Sequence, residues 1–236
     1  MTRPTGLLKA ACPIASKKTG KMRIGIDEVG RGCLAGPVTV SGCLIPAGCR
    51  FSAKLPELRD SKLMTRLQRE AWYEWVKTEG QEKGIIVAVS SAMPNTVDRL
   101  NIAKAANLAA WRSLNKILNE GDLFKVSVIL DGSLFLKSKS FQNTGDFYRN
   151  ISSVRTVTGA DRKFKEVKLA AVMAKVTRDA YMRRMAEKYP EFGFDEHKGY
   201  GTKAHMEAIR KLGFIEGFHR QTFLKNAAPG LTQEGS

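Results

Sequence analysis

The chain has 236 residues, enough for one α/β domain with an appendage or for two small domains, and 43% hydrophobic residues can supply a real core. Lys and Arg number 39 against 23 Asp and Glu, and a formal net charge of +16 points to a polyanionic partner, nucleic acid first, unless the basic surface serves solubility alone. No apolar run approaches the roughly 18–20 residues that cross a bilayer, and the opening MTRPTGLLKAACPIASKKTGKMR lacks a signal-peptide core, so a cytoplasmic protein is expected.

The positive charge is unevenly spread. Residues 1–23 hold six Lys/Arg and no acid, residues 162–188 hold nine against three, and residues 198–225 hold six against two. Cys12, Cys33, Cys43 and Cys49 form no Cys-x-x-Cys pair and lie far from His197, His205 and His219, which argues against zinc and for free thiols. Residues 1–20 read as a disordered basic tail and residues 227–236 as a second mobile tail.

In chain order, 22–29 (MRIGIDEV) and 38–45 (VTVSGCLI) read as strands joined through the Gly-rich GRGCLAGP, hence a hairpin. Thr65 followed by Gln68 has capping-box spacing, and Leu67, Ala71 and Trp75 recur at helical intervals, which predicts a helix over 66–78. Residues 85–90 (IIVAVS) are a third strand. Pro94-Asn95-Thr96 opens one helix over 97–118, with Trp111, Leu114 and Leu118 on one face and Gly121 as its stop. Residues 126–130 (VSVIL) form a strand buried on both faces, and 151–157 (ISSVRTV) a fifth. Leu169, Val172, Met173 and Val176 mark a helix over 165–188, which Pro190 ends. An α/β fold with a mixed sheet follows, because the first two strands are joined too tightly to be parallel. Residues 21–189 form its main domain and 190–226 a small, basic helical module.

Asp27 and Glu28 end the first strand, Asp131 ends VSVIL, and Asp161 follows the fifth strand. Any one of them has an ordinary reading as turn chemistry or an exposed tip. Four acids at three strand ends point instead to a shared site, since ligands bind at strand ends in open α/β sheets and carboxylates suit Mg²⁺ or Mn²⁺. Neighbouring strand residues face opposite ways, so Asp27 and Glu28 serve one site only if the chain bends out of the strand at Glu28.

The segments GIDEVGRG and GPV at 25–38, LRDSK at 58–62, ILDG at 129–132, GAD at 159–161 with AAVMAKVTRD at 170–179, and KGYGTKAH at 198–205 resemble, in order and approximate spacing, the signature of the ribonuclease HII family. That resemblance implies a ribonuclease H-like fold, a five-stranded mixed sheet flanked by helices. It implies that Asp27, Glu28, Asp131 and Asp161 hold two divalent ions, Mg²⁺ or Mn²⁺, and that the partner is an RNA/DNA hybrid or DNA containing ribonucleotides. The activity implied is cutting on the 5′ side of the ribonucleotide to leave 5′-phosphate and 3′-hydroxyl ends. Gly30, Arg31 and Gly32 are then expected at the ribose and its phosphate, with Tyr200 packed on the sugar beside the cut, because the 2′-hydroxyl is what separates RNA from DNA. Lys62, Lys175 and Arg178 are expected phosphate contacts, and His205 a structural group rather than a base. Three positions depart from the family pattern: Leu63 where a second lysine is common, Cys33 where proline is frequent, and Gly159 in place of a lysine before Asp161. A non-catalytic RNA-binding protein or another nuclease of the same fold are the rival readings, and nothing demands more than a monomer.

Overall fold

In the computed structural model, residues 22–120, 123, 125–136 and 150–227 are described; both predicted tails up to Lys21 and beyond Ala227, and the helix stop at Gly121, lie outside them. Five strands, β1 (Arg23–Val29), β2 (Val38–Leu44), β3 (Ile86–Ala92), β4 (Val126–Asp131) and β5 (Ile151–Val157), form one sheet in the order β3-β2-β1-β4-β5. The pairs β1–β2 and β2–β3 are antiparallel, and β1–β4 and β4–β5 parallel. The expected hairpin and mixed sheet are therefore present.

Strand alternation sorts the core into two layers. Ile24, Ile26, Val128 and Leu130 face one side, where they pack with Ala105, Ala109, Leu114 and Ile117 of α3 (Ile102–Asn119). Ile129 faces the other side with Ala160 and Val167. There α5 (Lys165–Lys188) crosses β1 and β2, burying Leu169, Val172, Met173 and Val176 against Trp72 and Trp75 of α1 (Arg66–Trp75). α5 lies so close to the sheet that a Cβ on Gly25 would stand 2.4 Å from backbone atoms of Glu166 and Val167.

Three local details differ from expectation. The Thr65–Gln68 capping box forms, with both hydrogen bonds, but Leu67 and Ala71 are exposed and the buried face is Trp72, Trp75 and Val76. The helix then loosens into a π turn, Val76–Gly80, in place of a regular end at 78. The single helix expected over 97–118 is two, α2 (Pro94–Leu100) and α3, because Asn101 takes φ 68° and caps α3 by accepting from the Lys104 amide at 3.0 Å. Asparagine is a preferred N-cap, so one residue both breaks and restarts the chain.

After β5 come α4 (Ala160–Lys163) and α5, then α6 (Phe194–His197), α7 (Lys203–Leu212) and α8 (Gln221–Ala227). The last three pack through Phe194, Ile209, Phe218 and Leu224 onto Met182 and Ala186 of α5 and onto Leu34 and Ala35 of the β1–β2 turn, in one continuous apolar cluster. The C-terminal helices thus share a core with that turn.

Gly25→Ala is expected to lower the unfolding midpoint sharply, because overpacking against immobile backbone costs roughly 1–3 kcal/mol or more. Gly32→Ala, where a Cβ meets nothing within 4 Å, is expected to leave it unchanged. Thermal or urea unfolding of the two variants checks this, and equal midpoints would mean that α5 shifts freely over β1.

Candidate active site

The site forms where the parallel strands end. The register pairs Ile26 with Leu130, so one residue further along Asp27 lies beside Asp131. Gly25 and Ile129 both face α5 and the segment before it, and Asp27 and Asp131, two residues on from each, face the same way. Asp131 also pairs in register with Val157, the last residue of β5, which leads within a few residues into α4. The Asp131 carboxylate accepts from the amides of Ala160, at 2.5 Å, and Asp161, at 3.4 Å. An acid at the end of β4 therefore caps the short helix that carries Asp161, where the free amides of a first turn favour negative charge. α4 has only four residues, and sequence periodicity does not reveal it.

Glu28 differs from expectation. β1 does not bend at this position, since the ladder with β2 continues through Glu28–Val40 and Val29–Thr39. Glu28 keeps its place in the ladder, yet its carboxyl lies within electrostatic reach of both Asp27 and Asp131, so no bend is needed to bring it to the acidic cluster. Its Oε1 lies 3.5 Å from Arg31 Nη1, and its Oε2 is buried with no hydrogen-bond partner. Among the described residues, no three His, Cys, Asp or Glu side chains are already gathered into a cation cage.

Burial raises the Asp27 carboxyl well above its usual range, and Glu28, Asp131 and Asp161 push it further, against one lowering hydrogen bond from the Glu28 amide at 2.7 Å. Burial also raises Glu28, opposed by Arg31 and reinforced by Asp131, and it raises Asp161, which Asp131 and Asp60 push up while Lys62 and Arg162 hold it down. Several acids that disfavour one another's charge, one with an orphaned buried oxygen, form a donor set that a hard divalent cation fits.

The remaining expected residues surround this end of the sheet. Gly30 follows β1 with φ 86° and lies against Arg178, whose Nε would be 2.2 Å from any Cβ placed there. Gly32 faces open space. Lys62 is exposed and within electrostatic reach of Asp161. Lys175 donates to the buried Asp179 at 2.9 Å. Arg178 is not at the surface: it is fully buried and donates to the carbonyls of Pro37, Lys198 and Ala35 at 2.8–3.0 Å. That geometry replaces the expected phosphate contact with a brace for the turn after β1, since a buried guanidinium spends its donors on backbone acceptors. Tyr200 is 44% exposed, and its segment adjoins the same turn through the Leu34 and Ala35 amides, which donate to the Gly199 carbonyl at 2.8 and 3.2 Å. Burial, then Cys33 beside it, raises the Tyr200 hydroxyl.

Arg220 was not foreseen. It is buried and donates to the carbonyls of Gly30, Arg31 and Gly36. In sequence it is one of six basic residues in a basic stretch, and no local signal marks it for burial. Cys33, Cys43 and Cys49 are free, as expected, and no helix among the described residues is long and apolar enough to cross a membrane.

Solved structures with this architecture are ribonucleases. The PCNA:RNase HII complex from Archaeoglobus fulgidus matches with a TM-score of 0.59 at 22% identity, covering 84% of this chain and 93% of that one. Bst-RNase HIII in complex with Mn²⁺ matches with a TM-score of 0.59 at 20% identity over 88% of this chain and 70% of that one. The fold is accordingly the ribonuclease H fold, with acids at the ends of its central strands. A ribonuclease HII of Fusobacterium nucleatum is 36% identical over 202 residues, 86% of this chain and 85% of the relative. Residues 24–226 match the family model described as Ribonuclease HII, and the chain belongs to the ribonuclease HII family. It is a hydrolase, an endonuclease of the ribonuclease H type.

Because the folded state raises the Asp27 pKa, the proton-bound form is favoured: Asp27's contribution to stability is present below the unfolded value near 4 and is lost as pH rises through the higher folded value. Without divalent ions, Asp27→Asn is therefore expected to unfold at a higher temperature than the parent chain at pH 7, with the gap closing near pH 4. Calorimetry at the two pH values checks this, and a destabilised Asn variant at pH 7 would contradict the assigned repulsion.

Proposed function

We propose that this endonuclease, acting as a monomer, hydrolyses the RNA strand of RNA/DNA hybrids and cuts on the 5′ side of ribonucleotides embedded in duplex DNA, leaving 5′-phosphate and 3′-hydroxyl ends, with Mg²⁺ or Mn²⁺ as cofactor. What supports this reading is the β1–β4 register, which sets Asp27 beside Asp131, together with the Asp131 carboxylate that caps the helix carrying Asp161. Asp27, Glu28, Asp131 and Asp161 would hold the ions, whose chemistry is to neutralise charge and act as Lewis acids at the scissile phosphate.

The chain's own groups do the rest. Burial and mutual repulsion keep the acids in a state that ion binding relieves, so cation affinity is built into the fold. The Gly32 position, where the protein leaves open space, lets a sugar-phosphate backbone approach main-chain amides. The exposed ring of Tyr200 offers an apolar face to the sugar at the RNA-to-DNA junction. Lys62, itself exposed, and Lys175 supply phosphate contacts; Arg178 acts on the turn from below. The helices over 190–226 form the substrate-binding module that carries Tyr200.

Asp131→Asn is expected to reduce cleavage to background while duplex binding, measured by fluorescence anisotropy, stays near that of the parent. Near-normal turnover would remove Asp131 from the mechanism. Tyr200→Ala is expected to lower kcat/KM about tenfold on a duplex with one ribonucleotide, the scale of one lost stacking contact. Cleavage assays with and without Mg²⁺ or Mn²⁺, on that duplex and on a full hybrid, test both statements, and metal-independent cutting would overturn the reading as a whole.

A further inference from the structure

The three histidines take no part in the chemistry above, yet they lie together beneath Tyr200. The rings of His197 and His205 stack with centroids 4.3 Å apart, and His205 and His219 are 5.3 Å apart. The surrounding hydrogen bonds settle their tautomers. The Ile215 amide donates to His219 Nδ1 at 2.8 Å, so that nitrogen is bare and Nε2 carries the proton. His219 Nε2 lies 3.1 Å from His205 Nε2, which must accept. The His205 proton therefore sits on Nδ1, which donates to the Tyr200 carbonyl at 2.9 Å.

The chain thus has a direction, from the Ile215 amide through His219 and His205 to the backbone of Tyr200. Phe194 and Phe218 enclose it, His197 stacks on it, and burial lowers both His205 and His219 to about 4, so the neutral arrangement persists at ordinary pH.

The next residue, Arg220, serves the other sugar-facing element. Its Nη2 donates to the Gly30 carbonyl at 2.7 Å and its Nη1 to the Arg31 carbonyl at 2.8 Å, while Nε and Nη2 both reach Gly36. Among the described residues no carboxylate lies within ion-pair distance of it. Because each peptide unit is planar and trans, drawing the carbonyls of Gly30 and Arg31 inward turns the amides of Arg31 and Gly32 the opposite way, toward the open space at Gly32. Burying an unpaired guanidinium and two imidazoles costs more than an apolar core of the same volume, so stability alone does not account for them. Their donors converge on the backbone of the two elements that face the substrate.

We propose that His219 and Arg220 are positioning residues for ribonucleotide recognition, setting the two sugar-facing elements against each other: His219 acts through His205 on the Tyr200 backbone, and Arg220 acts on the Gly30 and Arg31 carbonyls. The inference rests on the reading of those elements as the ribose-facing ones.

A double-mutant cycle tests it, with kcat/KM measured on a duplex containing one ribonucleotide and on a full hybrid, and circular dichroism to follow the fold. His219→Phe keeps an aromatic ring but removes the chain, and is expected to lose about tenfold on the single-ribonucleotide duplex, as Tyr200→Ala does. In the Tyr200→Ala background, His219→Phe is expected to add nothing, which a general packing defect would not reproduce. His219→Gln, with an amide donor near the Nε2 position, is expected to restore most of the loss. Its residual effect is expected to vanish in the same background, so the cycle does not depend on the Phe variant folding. Arg220→Lys, a point charge in place of a fork, is expected to impair both substrates, because the turn faces every ribose that is cut.

Additive losses for His219 and Tyr200 would overturn the His219 arm, as would full activity of a folded His219→Phe. Normal cleavage of both substrates by a folded Arg220→Lys would overturn the Arg220 arm. Normal single-ribonucleotide cleavage by Tyr200→Ala would instead sink the underlying reading of Tyr200 and the His219 arm with it.

Discussion

Parallel pairing between β1 and β4 is the interaction on which the site depends. These strands are separated by roughly a hundred residues of chain, and the register that joins Ile26 to Leu130 is held by apolar side chains packed on both faces of the sheet. A slip of one residue would turn the apolar pair of the strand that moves, Ile24 and Ile26 or Val128 and Leu130, from the α3 layer to the other side, so the hydrophobic pattern itself forbids it. The same lock that protects the core sets Asp27 beside Asp131 at the end of the sheet. The acidic cluster is thus an extension of the core's register, and Asp131 carries it one step further by capping α4 and so placing Asp161.

Such an arrangement works against stability. Burial and neighbouring charge raise Asp27, Glu28 and Asp161 together, and Glu28 Oε2 has no partner. The cost is carried by the two apolar layers and by polar bracing elsewhere. On the basic side, Arg178 and Arg220 are buried under the β1–β2 turn and bound to carbonyls of Gly30, Arg31, Ala35, Gly36, Pro37 and Lys198. The two guanidiniums hold the carbonyls of the turn from inside, while its Leu34, Ala35 and Gly36 amides are taken by the carbonyls of Gly199 and Phe218. Gly25 and Gly30 are needed because helix and guanidinium approach the backbone too closely for a Cβ. Gly32 meets no such neighbour.

The C-terminal helices join this scheme through a shared apolar core. Leu34 and Ala35, from the turn after β1, pack with Phe194, Ile209 and Phe218, and backbone hydrogen bonds to the Gly199 carbonyl fasten the two segments together. Tyr200 is carried on this junction, close to a turn from which it is far removed in sequence. Not all of the +16 net charge lies on the surface: Arg178 and Arg220 are buried and spend their donors on backbone carbonyls.

Much of this was legible in residue order. The strand MRIGIDEV before its Gly-rich turn, the unbroken apolar VSVIL, the helical spacing from Leu169 to Val176 and the Thr65–Gln68 capping box each rest on forces acting within a few residues, and each reappears in the fold. The hairpin and mixed sheet followed from a short connection. What sequence misjudged was decided at long range. Leu67 and Ala71 looked like the inner face of α1, but the partners that α1 meets select Trp72, Trp75 and Val76. Asn101 split a helix that periodicity ran together, and α4 was too short to show a period at all. Glu28 stays in the strand because β2 pairs with it as far as Val29, which no property of Glu28 announces. Arg178 and Arg220 read as surface cations because a buried charge becomes tolerable only when distant carbonyls supply acceptors. The acids, glycines and tyrosine of the site are written in the chain; which of them face one another is set by strand register and helix packing, since those energies belong to pairs of residues far apart in sequence.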